Sequence, residues 1–226
     1  MKQPQKAKSS PTVHRPLLAR AVNALGITTS SLTDNILSWV QALLFAGIAA
    51  TLIIVFVVMR VNVPTPSMEP TIPVGSSFFV DKISYYFRKP TPGQFIVFWH
   101  TNARTRETDR LVKRLIAVGG QTVQIKDCIV FVDGKPLTAP QFDSPSNPDK
   151  SRQCYYNDPR SLMSDPSKVW TVPERDYFVL GDNSTNSEDG RFWGFVKERE
   201  FIGVPFLQVW PTDRLGFVNG YFGSSR

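Results

Sequence analysis

Histidine and cysteine are scarce in this chain, and each scarcity closes off chemistry. Among 226 residues there are two of each: His14, His100, Cys128 and Cys154. None of the four lies close enough in sequence to another to give the paired spacing of a zinc site, so no metal or other cofactor is expected. His14 belongs to the N-terminal tail, which leaves His100 as the only histidine that could complete a Ser-His-Asp arrangement. The two cysteines can form a disulfide or remain buried thiols, and their spacing does not choose between these. Acidic residues are outnumbered 19 to 26, but the basic excess is uneven. Residues 1–37 hold Lys2, Lys6, Lys8, Arg15 and Arg20 against Asp34 alone. The remainder is too weakly basic to read as a nucleic-acid surface.

Long apolar runs are also absent, with one exception. Trp39 to Met59 carries no charge and is bounded by Arg60. At 1.5 Å per helical residue it spans roughly 30 Å, the hydrocarbon thickness of a bilayer. A cleavable signal peptide has a shorter apolar region followed by small residues, whereas this run ends Val-Val-Met-Arg. The reading is an uncleaved anchor over 38–60, behind a basic cytoplasmic tail over 1–37 that is attracted to anionic lipid. Residues 61–226 then form an extracytoplasmic domain. Residues 1–30 show no sustained period and are expected to be mobile.

Beyond Arg60 the pattern is mostly β and consistent with antiparallel sheet. Short runs rich in Phe, Val and Ile alternate with Gly, Pro and Asp, at Ser77–Val80, Phe95–Trp99, Leu111–Val118, Val123–Ile125, Ile129–Val132, Tyr177–Leu180 and Val204–Trp210. Asp133-Gly134 predicts a two-residue hairpin turn leading into Lys135–Leu137. Residues 140–167 hold five prolines among Ser, Asp and Asn and read as a long excursion from the sheet. Tyr85-Tyr86-Phe87 can serve either a membrane interface or the core.

Three segments could carry chemistry. Lys113 lies in Leu111–Val118, where alternation groups it with Leu111, Leu115 and Ala117 and sets Val112, Arg114, Ile116 and Val118 opposite. Both faces are largely apolar. A lysine buried there loses its proton readily, whereas one at a sheet edge snorkels to solvent. Ser67, held between Pro66 and Met68, needs a base before its hydroxyl becomes a nucleophile; without one it merely supports a turn. The stretch Gly181–Gly194 begins like a calcium loop, but Ser187 and Trp193 stand where an EF-hand needs Gly and Glu. Asp182, Asp189 and Arg191 could instead form a buried ionic network that leaves Ser187 facing a lysine.

In this order, behind an anchor, the three segments resemble the type I signal peptidases, membrane-bound serine proteases that remove signal peptides. The family's nucleophile box reads Pro-Ser-x-Ser-Met-x-Pro-Thr; Pro64–Thr71 departs from it only in having Thr65 at the second position. The base box, ending Lys-Arg-x-x-Gly-x-x-Gly, is similar to Lys113–Gly120. The last box is similar to Gly181–Gly194, with Gly190 replacing a serine. The resemblance implies a Ser67 nucleophile, a Lys113 general base, and an oxyanion hole of the Ser67 N–H and the Thr65 hydroxyl. It further implies that Ser187 orients the lysine, that Asp182, Asp189 and Arg191 structure the site, and that Val63, Pro64 and Val112 line shallow substrate pockets. Residues 126–169 would be a variable insertion. The implied partners are secretory preproteins and the lipid bilayer. The implied location is a bacterial inner (plasma) membrane or a thylakoid membrane, crossed once. Two other readings stand beside this one: a narrower maturation or self-cleaving protease of the same fold, and a non-enzymatic anchored β-module.

Overall fold

The computed structural model describes residues 17–26, 30–137 and 154–218. The expectations for residues 1–16 and for the first half of the proline-rich excursion, within 138–153, lie outside the described residues. The chain divides into two units, Met1–Val55 and Phe56–Arg226.

The described residues of the first unit are mostly helical. Helix α1 spans Leu17–Ala24, so the segment expected to lack regular structure contains a short helix. Helix α2 runs from Ser31 to Leu52, opened by Ser30, whose side chain accepts a hydrogen bond from the Thr33 N–H. That cap, with Asp34 in the first turn, starts the helix well before the apolar run begins. None of its residues is buried, and its length and mean hydropathy of 1.6 suffice to cross a membrane. A π-helical turn, Ile53–Val57, ends it.

Strand β1, Val58–Asn62, follows at once, so the apolar run is shared between helix and sheet. β-branched and apolar residues suit a half-buried strand as well as a membrane helix. Val58 and Met59 pair across to Asp81 and Val80 of β2, Ser77–Asp81. The remaining strands are β3 (Phe95–Thr101), β4 (Thr108–Val118), β5 (Thr122–Lys126), β6 (Ile129–Val132), β7 (Lys135–Pro136), β8 (Trp170–Thr171), β9 (Tyr177–Leu180), β10 (Phe201–Trp210) and β11 (Gly216–Phe217). All named pairings are antiparallel, and they form two sheets. One has the order β1-β2-β10-β3-β4-β9, with β11 beside β10; the other has the order β7-β6-β5-β8. The expected mostly β, antiparallel domain behind an apolar N-terminal helix is what the structure has. The Asp133-Gly134 turn joins β6 to β7, with both residues at positive φ.

Among the described residues of the second unit there are three apolar clusters. One lies around Ile116, Ala117, Phe178 and Leu180; a second around Val61, Val63, Met68 and Val112; a third around Ile96, Phe98, Leu115 and Val179. Strand β4 touches all three because it does not alternate regularly. Its pairing with β9 slips between Leu115 and Ala117. An extra residue at a bulge reverses the side-chain faces beyond it. Ile116 and Ala117 therefore share one cluster, and Val118 packs with Leu115, contrary to the simple alternation expected.

Cys128 and Cys154 form a disulfide, with Cα atoms 4.4 Å apart. The aromatic trio divides: Tyr85 packs edge-on against Phe201 at 5.8 Å, while Tyr86 and Phe87 are exposed.

Candidate active site

Strand β4 delivers two adjacent cations to opposite faces. Lys113 stands across from Ile96 of β3, on the side of the Ile96, Phe98 and Leu115 cluster, and is 3% exposed. Burial pushes its amine down from 10.5 to about 8. The carboxylate of Asp189 opposes that shift, and the guanidinium of Arg191 adds to it. The sheet-edge alternative is thereby excluded: this lysine does not snorkel.

Arg114 points to the other face and is also buried. Its Nε donates to Asp182 Oδ1 at 2.7 Å, its Nη2 donates to Asp182 Oδ2, and its Nη1 donates to the Gly93 carbonyl at 2.8 Å. Its guanidinium lies 4.5 Å from the centre of the Phe95 ring. A bidentate pair of this kind is both strong and directional.

Ser67 sits in a short 3-10 turn, Pro66–Met68, which packs against β4. The turn is tied by its backbone to the loop after β9. Asn183 donates from its N–H to the Ser67 carbonyl at 3.0 Å and from its side-chain amide to the Pro66 carbonyl at 3.1 Å. The Ser67 side chain, 7% exposed, has its hydroxyl 3.3 Å from that of Thr65.

The loop after β9 closes the site. Leu180 is the last β9 residue paired to β4, opposite Arg114, so Gly181 leaves the sheet at the level of Lys113. A Cβ on Gly181 would lie 2.1 Å from Ser187 Oγ and 2.5 Å from the Ser67 carbonyl oxygen. Only glycine lets the Ser187 side chain and the Ser67 backbone approach from the two sides. Ser187 Oγ is buried with no hydrogen-bond partner. Asp189 then caps the four-residue helix α3, Gly190–Trp193, and accepts the Gly181 N–H at 2.9 Å. Arg191 grips Asp189 through Nε at 2.9 Å and Nη2 at 3.0 Å, and reaches the Ser184 hydroxyl and carbonyl. A Cβ on Gly190 would meet the Val179 carbonyl at 2.7 Å and the Phe178 ring at 2.8 Å, which accounts for glycine where the related box has serine.

The ionic residues thus make two pairs rather than the single network expected from Asp182, Asp189 and Arg191. Asp182 belongs to Arg114, whose charge inside an apolar strand was the available signal. Asn183 was missed, although it adjoins Asp182. Val63 and Val112 are buried in the same cluster as Met68, and Pro64 is exposed. His100 lies four cross-strand pairs along from Lys113, about 13 Å by strand rise. Its ring stacks on Trp193 at 4.7 Å, and burial lowers its pKa against the pull of Glu188 and Glu200. Replacing His100 with alanine should cost less than about tenfold in turnover, since general-base loss is worth 10²–10⁴; a thousandfold loss would restore the histidine-based alternative.

A model of the family described as signal peptidase, peptidase S26, matches residues 36–210. The chain is 35% identical over 165 residues to a signal peptidase I of Leptolyngbya laminosa, covering 71% of this chain and 73% of that one. It is 33% identical over 180 residues to a probable signal peptidase I-2 of Synechocystis, covering 79% and 75%. It is 31% identical over 183 residues to signal peptidase I P of Bacillus subtilis subsp. natto, covering 80% and 93%. A crystal structure of a signal peptidase I from Enterococcus faecalis aligns with 31% identity and a TM-score of 0.37, over 52% of this chain and 97% of that one. The family match begins inside α2 and ends with β10, and it takes in Ser67, Lys113 and the whole loop from Gly181 to Gly194: this chain belongs to the signal peptidase S26 family of serine endopeptidases.

Proposed function

We propose that the chain is a signal peptidase I that removes N-terminal signal peptides from exported preproteins, with Ser67 as nucleophile and Lys113 as general base. The observation carrying this reading is an almost fully buried lysine, its pKa lowered to about 8, in the strand against which the Ser67 turn packs. A neutral amine takes the hydroxyl proton as Ser67 Oγ attacks the scissile carbonyl. The Lys113 ammonium then gives that proton to the leaving amine, and neutral Lys113 deprotonates the water that hydrolyses the acyl-enzyme, returning the proton to Ser67 Oγ. Charge on the carbonyl oxygen is met by the Ser67 N–H and the Thr65 hydroxyl, which already lies beside Ser67. Pro66 has no N–H to offer, so Thr65 helps through its side chain. The unsatisfied Ser187 oxygen gives the ammonium formed during each step a partner.

The substrate binds extended, as an added strand, with small residues at −1 and −3. Val63 and Val112, with Pro64 at their edge, bound those pockets; their moderate bulk excludes large side chains. Helix α2 crosses the plasma membrane once, with the basic N-terminus in the cytoplasm and the β domain outside. Anchoring enzyme and preprotein in one bilayer raises their effective concentration.

Hydrolysis of a peptide containing Ala-x-Ala by the detergent-solubilised protein tests the reading. Cleavage after the second alanine is expected, and Phe at −1 should lower kcat/KM by about 100-fold or more, because an apolar pocket rejects excess bulk through strain. Equal cleavage of both peptides would contradict it.

A further inference from the structure

Residues 154–163 lie outside all three boxes, yet they hold the last box in place. Tyr155 is 2% exposed and packs with Ile116 and Ala117 of β4 and with Phe178 and Leu180 of β9. These are the strands that carry Lys113 and lead into Gly181. The centre of its ring lies 5.7 Å from the Arg191 guanidinium carbon, with Tyr156 at 5.4 Å and Phe192 at 5.6 Å. Three rings at these distances are within cation–π range of a charge already taken out of water.

The segment is pinned at both ends. At its start the disulfide joins Cys154 to Cys128 in the β5–β6 turn, and the Tyr155 N–H donates to the Cys128 carbonyl at 3.0 Å. At its end the Leu162 N–H donates to the carbonyl of Arg191 itself at 2.8 Å. Between them, the Asn157 amide donates to the carbonyls of Ile125 at 3.0 Å and Met163 at 2.6 Å. Arg191 is therefore gripped by Asp189 and Ser184 through its side chain, by Leu162 through its backbone, and by aromatic rings around its charge.

We propose that Tyr155 is a positioning residue for the base: its buried ring, tethered through the Cys128–Cys154 disulfide, backs Arg191 so that the Arg191–Asp189 pair stays closed and water stays away from Lys113. The proposal rests on Lys113 being the general base. The phenol lies within the electrostatic reach of Asp182, Arg114, Asp189 and Arg191, and burial raises it well above its ordinary value, so it stays neutral at working pH. The charged groups felt most by Lys113 are Asp189, Arg191, Asp182 and Glu188, all on the loop after β9. Loosening Arg191 admits water and leaves the Asp189 carboxylate less neutralised. Both changes favour the ammonium form and move Lys113 back towards 10.5.

The test is turnover against pH for the full chain in detergent, using the Ala-x-Ala peptide. Tyr155→Leu should lower kcat at pH 8 by about 10-fold or more with KM within about twofold, and move the midpoint of the ascending limb up by about half a unit or more. Tyr155→Phe keeps the ring and should restore both values. The double variant Cys128→Ser/Cys154→Ser should shift the midpoint in the same direction. A Tyr155→Leu protein with an unshifted midpoint overturns the proposal, whatever its melting temperature. If that variant does not fold, an unshifted midpoint in the double serine variant overturns it instead. Turnover surviving in Lys113→Met would remove the base assignment itself, a separate failure.

Discussion

Replacing Lys113 with methionine should give a protein that is folded, more stable near neutral pH, and inactive. The activity argument is that, among the described residues, His100, the histidine that could replace it, is stacked on Trp193 further along the strand. Loss of the base should cost on the order of 10³–10⁴ or more in kcat. The stability argument has the opposite sign. An amine whose pKa falls from 10.5 unfolded to about 8 folded carries a penalty wherever both states are protonated. Below pH 8 that penalty is complete, about 3 kcal/mol. It shrinks as pH rises from 8 to 10.5, because there the unfolded chain binds the extra proton. Methionine fills a similar volume without the charge. Thermal melts should therefore show Lys113→Met above wild type at pH 7, with the two converging near pH 10.5. Melting temperatures equal at pH 7, or a variant that turns over at near-normal rate, would each contradict the buried-amine account.

Ser67→Ala should abolish cleavage just as thoroughly, with almost no change in stability. Removing a serine nucleophile costs on the order of 10⁶ in kcat in a well-studied serine protease, the residual rate coming from binding and oxyanion contacts. The turn should persist, because what ties Ser67 to its surroundings is backbone: its carbonyl accepts from Asn183, and the neighbouring Pro66 carbonyl accepts the Asn183 amide. The lost side-chain contact is the 3.3 Å approach to Thr65, a long hydrogen bond of small net value. An inactive Ser67→Ala that melts with wild type separates chemistry from folding. Retained cleavage at a tenth of wild-type rate would assign the nucleophile elsewhere.

The sequence was most legible where chemistry forces a local signal. The strands Ile129–Val132 and Tyr177–Leu180 are bounded by turn residues that stop the ladder, and their observed limits match the pattern. The lysine inside an apolar strand was a candidate, but the strand alone left open a lysine that snorkels to solvent, and the order of the three boxes is what singled it out. Where neighbouring patterns overlap, the reading blurred. Val58 and Met59 are as apolar as the helix before them, so nothing local says that the ladder with β2 has begun. The bulge beyond Leu115 depends on how β9 pairs, which is a long-range fact, and it changed which side chains share a face with Lys113. The Arg114–Asp182 pair spans 68 positions, and Tyr155, 5.7 Å from Arg191, follows a disulfide whose formation the spacing left open.

One amine, able to lose its proton at mildly alkaline pH because the fold keeps it dry, is what everything else serves. The most direct measurement is the single-turnover cleavage rate of the Ala-x-Ala peptide by wild-type protein between pH 6 and 10. The account requires a rate that climbs through mildly alkaline pH with a midpoint of about 8, the value to which burial lowers Lys113. A profile flat from pH 6 to 9, or a midpoint near the ordinary lysine value of 10.5, would contradict it.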